Sequence, residues 1–552
     1  MTEKRGEKIM YPPILTNISN VENALQKYNI IVAIGNSPNT TTGIPIFDKI
    51  IQNASTMDPS VCKGVSTFYD SGNVYVYSGC GPLNRDYDDV RSIHDAVSKG
   101  ITKAKSMKQS KKICLILTSD CDHPGPLYDQ SCLVGIIAAT HACHAKLQTR
   151  ERYEHSIENI EDIGIVWQGH LRKYTADELN EKCKIALGMA LGQRIARDIT
   201  DGDPERMAPL KVADYVDESF QGVDNVQVNI ERDRSVINSK YPLLSAVSRT
   251  SVDRHAPAVI ELEYTPPTDA IEKTIYLIGK GVTYDTGGAD LKVGGTMNGL
   301  KTDKGGAGAC AGIMRAIAHI KPRGVKVIAY LGMVRNSIGS NAYVADEIIQ
   351  GHSGRRVLVV NTDAEGRMVM ADLLSLARTR IKKEKNNDSV NVFSIATLTG
   401  HAYLAFGPYS SVNLNGVSSF LKLGVKIAAL GQELADPFEQ STLRREDYFT
   451  VSPKSGDLDV IQSTAQGSAK TMRGHQFPMA FLNIASGLND HGVTSDMPIP
   501  YVHVDMIGRT STGGKPSMGG RSNGAPVVAL TAYIADLFPL KDQVATPILA
   551  RM

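Results

Sequence analysis

The 552-residue sequence has no apolar run that approaches the roughly 20 residues needed for a membrane-spanning helix. Its first eight residues, Met-Thr-Glu-Lys-Arg-Gly-Glu-Lys, lack the apolar core of a secretory signal peptide. Lysine and arginine total 60 against 58 aspartate and glutamate, so the formal charge of +2 provides no broad basic surface. We therefore expect a cytoplasmic protein that contacts no membrane and binds no nucleic acid.

The eight cysteines lack the regular spacing of a disulfide framework, and we expect reduced thiols. Zinc-type ligands do gather in one segment: Cys121, His123, Cys132, His141, Cys143 and His144. Their spacing fits no zinc-site pattern, and residues 131–150 have the composition of an apolar helix. Cys132 and Cys143 are accordingly predicted to be core residues, with a zinc site as the alternative.

Apolar runs of strand length alternate with segments of helical period over the first 170 residues. The predicted strands are 29–34, 73–78, 112–118 and 163–168, and the predicted helices are 89–107 and 131–150. This alternation is typical of an α/β domain with a largely parallel sheet.

A long helix is predicted at 176–199, followed by a turn and another helix near Pro209. Further strands are predicted at 258–264, 273–279, 325–331, 356–360, 390–396 and 501–506. We therefore predict an α/β protein of two domains, with an N-terminal domain at 1–172, a connecting helix at 173–200 and a larger C-terminal domain at 201–552.

Ionisable side chains follow the ends of several predicted strands in the second domain. Lys280, Asp285, Lys292 and Asp303 come after strand 273–279. Asp363, Glu365 and Arg367 come after strand 356–360, where they would share one face if the chain stayed extended. Residues 397–400 follow strand 390–396. Because ligands bind at the carboxyl edge of open α/β sheets, we expect these loops to converge on one crevice.

Four converging acids, Asp285, Asp303, Asp363 and Glu365, would place four negative charges together, which is unfavourable unless each is neutralised. Two divalent cations supply the matching charge, and oxygen ligands suit Mg²⁺, Mn²⁺ or Zn²⁺. A pair of such ions activates water, so the predicted chemistry is hydrolysis. The alternative is that each acid is an ordinary surface residue. Against it, the adjoining glycines favour a site in which the backbone is crowded. These are Gly287, Gly288, Gly305, Gly306 and Gly366.

Two motifs make the chain recognisable. Asn361-Thr-Asp-Ala-Glu-Gly-Arg367 resembles the signature of the leucyl (cytosol) aminopeptidase family, and 279–288 resembles that family's metal-binding strand end. The similarity extends over about 190–537, while the first 170 residues match poorly, as is usual for the family's variable N-terminal domain. The resemblance implies a metal-dependent aminopeptidase whose catalytic domain has a central mixed sheet flanked by helices.

The same resemblance implies roles for individual residues. Lys280, Asp285, Asp303 and Glu365 would hold one metal ion, and Asp285, Asp363 and Glu365 the other, the ions being Zn²⁺ or Mn²⁺, with Mg²⁺ as a further candidate. Lys280 would coordinate as a neutral amine with a depressed pKa. Lys292 would stabilise the oxyanion, and Arg367 would bind a bicarbonate ion that relays the proton.

The first specificity pocket would be formed by Leu300, Thr397, Gly400 and Ile507. Because the family has a small alanine where this chain has Ile507, we expect a shallow pocket that favours small or unbranched N-terminal residues. The resemblance also implies a homohexamer acting on short peptides. The chain departs from the family pattern at Val334-Arg335-Asn336, Leu358 and His475, which indicates a divergent branch. The alternative function is a catalytically weak member that acts as a scaffold or binds nucleic acid.

Overall fold

The structure, a computed structural model, describes residues 11–107, 111–153, 160–267, 270–384, 390–506 and 522–538. The chain divides into two compact units. The first contains Met1–Leu191 and Gln432–Ala435, and the second contains Gly192–Gly431 and Asp436–Met552. The division lies inside one long helix, α6 (Ala176–Asp201), while the boundary near residue 172 stays a prediction. Among the described helices, none combines the length and apolarity needed to cross a bilayer.

The first unit is built on a six-stranded sheet within the described residues. Its strands are β1 (Ile14–Asn17), β2 (Ile30–Gly35), β3 (Val65–Asp70), β4 (Asn73–Gly79), β5 (Lys112–Leu117) and β6 (Asp162–Trp167), in the order β1-β6-β5-β2-β4-β3. The β3–β4 pair is antiparallel and the other pairs are parallel. Every residue of β2 is buried, as expected for a central strand covered on both faces.

Helices of the first unit connect these strands: α1 (Val21–Lys27), α2 (Pro45–Met57), α3 (Arg91–Lys105), α4 (Ser131–Cys143) and α5 (Leu147–Arg152). The single helix predicted at 131–150 is therefore wrong, because the chain leaves the helical path between α4 and α5. Cys132 and Cys143 are buried on α4, which confirms their prediction as core residues. Within the described residues, no disulfide joins any of the eight cysteines.

The second unit holds the larger sheet. Its strands are β7 (Val226–Glu231), β8 (Ala258–Tyr264), β9 (Lys273–Asp285), β10 (Val325–Asn336), β11 (Ile348–Gln350), β12 (Arg356–Leu358), β13 (Val390–Ala396), β14 (Ser410–Leu414), β15 (Phe438–Thr442), β16 (Val460–Ile461) and β17 (Tyr501–Asp505). In the described part of the unit, eight of them form a mixed sheet in the order β15-β14-β17-β13-β9-β10-β8-β7. This arrangement confirms the predicted mixed α/β architecture.

Helices cover this sheet and bury its apolar faces. They are α7 (Pro209–Phe220), α8 (Arg234–Lys240), α9 (Pro242–Ser248), α10 (Gly305–Ile320), α11 (Glu365–Glu384), α12 (Gly400–Phe406), α13 (Gly416–Phe420), α14 (Leu423–Glu433), α15 (Arg445–Val451), α16 (Phe477–Ala485) and α17 (Val527–Ile534). A large apolar core joins residues of α9, α11 and α16 to the strands.

Four neighbouring strands, β17, β13, β9 and β10, run parallel. Their carboxyl ends therefore meet at one edge, where β9 ends at Asp285 and β17 at Asp505. Strand β12 lies outside this sheet, in a small three-stranded sheet with β11 and β16. The expected loops therefore do not all follow strands of one sheet, since the loop that carries Asp363 follows β12 of the small sheet.

Candidate metal centre

Lys280 lies inside β9 and not after its end, because the strand continues six residues beyond the predicted 279. Side chains of a regular strand alternate between faces, so Lys280 and Asp285 would point in opposite directions. The pairing of β9 with β10 interrupts this alternation. Val282 pairs with Val334 and Asp285 with Asn336, so β9 uses three residues where β10 uses two. The extra residue is a β-bulge, and it turns Asp285 to the face of Lys280.

Helix α11 begins at Glu365, so the chain does not stay extended from Asp363 to Arg367 and the condition for a shared strand face is not met. Its second residue is glycine because Lys280 lies against it. A Cβ at Gly366 would stand 2.4 Å from Lys280 Cε and 2.7 Å from Lys280 Nζ. The turn after β9 has a similar requirement, since Gly287 has a φ of +89° that disfavours a side chain.

Three carboxylates converge at the edge of the sheet. Asp285, Asp303 and Glu365 each offer an oxygen, and these oxygens all lie within 4.8 Å of one another. Across the described residues, they form the one group of three or more metal-type side chains with such mutual proximity. All three residues are buried, although water would favour their charged forms.

Lys280 sits among these carboxylates. Its Nζ lies 2.8 Å from Asp303 Oδ1 and 2.8 Å from Glu365 Oε1, and it donates a hydrogen bond of 3.0 Å to the Thr397 carbonyl oxygen. Burial alone would lower the pKa of Lys280, but the Asp303, Glu365 and Asp285 carboxylates outweigh burial and raise it above the ordinary value. The protein's own groups thus favour the ammonium form, and the expected neutral amine requires added positive charge.

Lys292 links the cluster to the fourth acid. Its Nζ lies 2.9 Å from Asp285 Oδ2 and also contacts Asp363 Oδ1. Asp363 stands apart from the three buried acids, since 37% of its side chain is exposed. The four predicted acids are therefore brought into one neighbourhood, three in direct proximity and Asp363 through Lys292.

Two carboxylate oxygens of the cluster accept no hydrogen bond from the described residues. Asp303 Oδ2 and Glu365 Oε2 are buried, and neither has a hydrogen-bond partner. Burial raises the pKa of Asp303 well above its ordinary value, and the nearby carboxylates of Glu365 and Asp285 add to the effect while Lys280 opposes it. Buried oxygens without donors are unfavourable, and they are suitable ligands for a divalent cation. The donor set therefore fits a metal site.

Arg367 is the third residue of α11 and is almost completely buried. Its Nη1 donates a hydrogen bond of 2.9 Å to the Gln462 carbonyl oxygen, and its guanidinium carbon lies 5.2 Å from the centre of the Phe477 ring. Burial lowers the pKa of Arg367 to about 10, so the side chain remains a cation at neutral pH. Its Nε has no hydrogen-bond partner.

Three of the four predicted pocket residues lie in the described part of the chain. Thr397 touches the cluster directly, because its hydroxyl donates a 2.7 Å hydrogen bond to Asp303 Oδ1. Leu300 begins a short 3-10 helix that carries Asp303, and it is half-buried. Gly400 is exposed at the start of α12. Ile507 lies outside the described residues.

Sequence reasoning missed the polar residues that hold the acids in place. Asn336 donates 2.8 Å to Asp285 Oδ1 and 3.1 Å to the Thr362 carbonyl oxygen, so it joins β10 to the loop before α11. Asp290 accepts hydrogen bonds from the Thr362 backbone and hydroxyl. Gln462 binds the same loop from the small sheet. Asp290 lies just after the first motif, which is a sequence signal, whereas Asn336 and Gln462 lie far from both motifs along the chain and had no such signal.

A sequence profile described as the catalytic domain of the cytosol aminopeptidase family matches residues 194–531, which contain every side chain of the cluster. The chain belongs to the cytosol aminopeptidase family. This membership confirms the resemblance found in the sequence.

Individual family members support the assignment. A putative aminopeptidase of Caenorhabditis elegans is 36% identical over 469 residues, which cover 85% of this chain and 85% of that protein. A probable cytosol aminopeptidase of Helicobacter hepaticus is 35% identical over 273 residues, 50% of this chain and 54% of the relative. The match to this bacterial protein thus spans about half of its length.

Solved structures share the fold. A mutant of tomato leucine aminopeptidase superposes with a TM-score of 0.75 at 20% identity, covering 97% of this chain and 98% of that one. The bottromycin maturation enzyme BotP in complex with Mn gives a TM-score of 0.71 at 19% identity, covering 92% of this chain and all of the other. Both matches extend over nearly the whole chain.

Proposed function

We propose that this chain is a metal-dependent aminopeptidase that removes N-terminal residues from short peptides. The observation that carries the proposal is the buried cluster of Asp285, Asp303 and Glu365, with two carboxylate oxygens lacking any donor, in a catalytic domain of the cytosol aminopeptidase family. Such a cluster is costly to fold, so a role in cation binding is its simplest explanation.

Two divalent ions would be held by residues already close together. Lys280, Asp285, Asp303 and Glu365 would hold one ion, and Asp285, Asp363 and Glu365 the other. Mn²⁺ and Zn²⁺ are the leading candidates, and Mg²⁺ is a third. When bound, such ions lower the pKa of a coordinated water and polarise the scissile carbonyl. Their charge would also oppose the carboxylates around Lys280 and so favour its neutral amine.

Lys292 and Arg367 would supply the remaining chemistry. Lys292 lies beside Asp285 and Asp363, from where its Nζ would donate a hydrogen bond to the developing oxyanion of the substrate. Arg367 is a buried cation with an unused Nε–H, which suits it to hold a bicarbonate ion for proton transfer.

Selectivity for the peptide N-terminus would come from the free α-amine, which has a lone pair for a metal ion, whereas an internal peptide nitrogen has none to offer. Leu300, Thr397, Gly400 and Ile507 would surround the first side chain, and Ile507 would make that pocket shallow. We propose a preference for small or unbranched residues over leucine. A panel of aminoacyl-amidomethylcoumarins tests it, and leucine turning over fastest, unchanged in Ile507→Ala, would refute it.

The activity itself is tested with a matched pair of substrates. Purified protein should release leucine from a leucyl tripeptide and leave the N-acetylated tripeptide intact, as followed by mass spectrometry. Equal cleavage of both would contradict an aminopeptidase. No cleavage of either, together with salt-dependent retardation of RNA or DNA in a gel, would support the scaffold or nucleic-acid-binding alternative instead.

We also propose a homohexamer located in the cytosol. Enclosure of the sites in such an assembly would restrict substrates to short peptides. Light scattering of the purified chain tests the assembly directly, since a mass near 59.7 kDa would correspond to a monomer and contradict it.

A further inference from the structure

Gln462 occupies an unusual position beside the candidate metal centre. Strand β16 pairs in parallel with β12, and the backbone of Gln462 continues that pairing by donating a 2.9 Å hydrogen bond to the Leu358 carbonyl oxygen. The residue therefore stands beside the segment by which β12 leads into the loop carrying Asp363. No part of Gln462 is exposed to solvent.

Its side-chain amide clamps that loop at both ends. Oε1 accepts hydrogen bonds of 3.1 Å from the Val360 backbone N–H and 3.0 Å from that of Asn361. Nε2 donates a 3.1 Å hydrogen bond to the Ala364 carbonyl oxygen. The clamped residues, 360–364, include Asp363 and end directly before Glu365.

The backbone carbonyl of Gln462 makes a further connection. Its carbonyl oxygen accepts the 2.9 Å hydrogen bond from Arg367 Nη1. One residue thus binds the loop that carries Asp363, as far as the residue before Glu365, and the guanidinium of Arg367. A buried amide with its hydrogen bonds satisfied holds its partners to a narrow geometry, because any displacement leaves a polar group unpaired.

We propose that Gln462 is a positioning residue for the metal centre, holding Asp363 and Glu365 at the separation that cation binding requires. This inference rests on the proposed function. Among the described residues, the Gln462 side chain bonds the backbone of the loop and its carbonyl oxygen bonds Arg367, not the carboxylate oxygens of the cluster, so it acts through the loop. Groups that orient metal ligands typically change metal affinity or activity by about 10–100-fold when they are removed.

A matched control exists elsewhere in the same unit. Asn415 is also buried, and its side-chain amide makes three hydrogen bonds to the backbone. It accepts from the Ser418 and Tyr501 N–H groups and donates to the Ile499 carbonyl oxygen. Tyr501 is the first residue of β17, so it lies at the end of the strand opposite the carboxyl end that adjoins the candidate metal centre. Asn415 is therefore removed from the site by the length of that strand, about 13 Å.

The experiment compares Gln462→Met with Asn415→Leu, each of which replaces a clamping amide by an apolar side chain of similar shape. Gln462→Asn, which keeps an amide but shortens its reach, serves as a second variant if the first is unstable. Mn²⁺ affinity is measured by isothermal titration calorimetry on the full chain after chelation. Turnover of leucyl-amidomethylcoumarin and the melting temperature are recorded in parallel.

Both Gln462→Met and Asn415→Leu should lower the melting temperature, since each leaves buried backbone groups unpaired. Only the Gln462 variants should weaken Mn²⁺ binding and lower kcat, each by about 10–100-fold, with a smaller change in KM. Wild-type Mn²⁺ affinity in both Gln462 variants, or a loss no greater than that in Asn415→Leu, would overturn the positioning role. Wild-type protein that binds Mn²⁺ without peptidase activity would refute the proposed function alone, and wild-type protein that binds no Mn²⁺ would refute both.

Discussion

Gly366 provides a sharp test of the arrangement because its missing side chain leaves room for Lys280. In Gly366→Ala, the new Cβ would stand 2.4 Å from Lys280 Cε, 2.5 Å from Cδ and 2.7 Å from Nζ. Non-bonded carbons prefer about 3.5–4.0 Å, so the lysine side chain must move by about 1 Å. Because Lys280 Nζ contacts Asp303 and Glu365, moving the lysine would also disturb these two carboxylates.

The expected cost is large for activity and small for folding. A displacement of about 1 Å in a catalytic constellation lowers the rate by roughly 100-fold, which corresponds to about 3 kcal/mol in the activation barrier. Replacing a helical glycine by alanine otherwise stabilises a helix by about 0.5–1 kcal/mol, which offsets part of the steric strain. We therefore expect kcat/KM to fall about 100-fold while the melting temperature changes little.

Gly416→Ala is the control for this substitution. Gly416 likewise lies in the first turn of a helix, α13, but a Cβ there would meet Val493 Cγ2 at an ordinary 3.6 Å. Hydrolysis of leucyl-amidomethylcoumarin and thermal unfolding are measured for both variants. Wild-type turnover in Gly366→Ala would show that the observed position of Lys280 is not required, and equal losses in both variants would point to a general effect on folding.

Three further predictions concern charge and pH. Glu365→Gln and Asp363→Asn should each lower kcat by several orders of magnitude, and retention of more than a tenth of wild-type activity in a peptide assay would contradict their role. Burial, with smaller effects from His401 and Arg473, lowers the pKa of His475 to about 4 from 6.5. The unfolded chain then binds more protons between these values, so folding stability should rise from pH 4 to pH 6.5, by up to about 3 kcal/mol from this group. His475→Ala should flatten that part of the melting-temperature profile, and an unchanged slope would exclude the histidine as its source. Asp372 accepts backbone hydrogen bonds from residues 243, 244 and 352, so Asp372→Asn should cost about 1–3 kcal/mol in denaturant unfolding, and a neutral result would show that these bonds contribute no net stability.

Much of the fold was predictable because buried strands carry a local signal. The predicted strands 258–264 and 390–396 coincide with β8 and β13, and the long helix at 176–199 differs from α6 by two residues at its end. Each is a run of apolar residues with clear period or length. The split between α4 and α5 was missed because residues 144–146 contain neither glycine nor proline to signal a break.

The site was predictable only in its residue types. The motifs named Lys280, Asp285 and Glu365, but their convergence depends on a bulge in β9 that the sequence does not mark. The bulge arises from pairing with β10, a contact between distant segments, and alternation alone would have separated the lysine from the aspartate. Gln462 was missed for the same reason, since nearly a hundred residues separate it from the loop it holds.

If the carboxylate cluster is a catalytic metal site, metal content and peptidase activity should rise and fall together. The purified chain is stripped with a chelator, reconstituted in turn with Mn²⁺, Zn²⁺, Mg²⁺ or Co²⁺, and assayed on aminoacyl-amidomethylcoumarins, with bound metal counted by mass spectrometry. We expect activity to disappear on chelation and to return as the bound metal approaches two ions per subunit. Full activity in protein shown to contain no metal would contradict it.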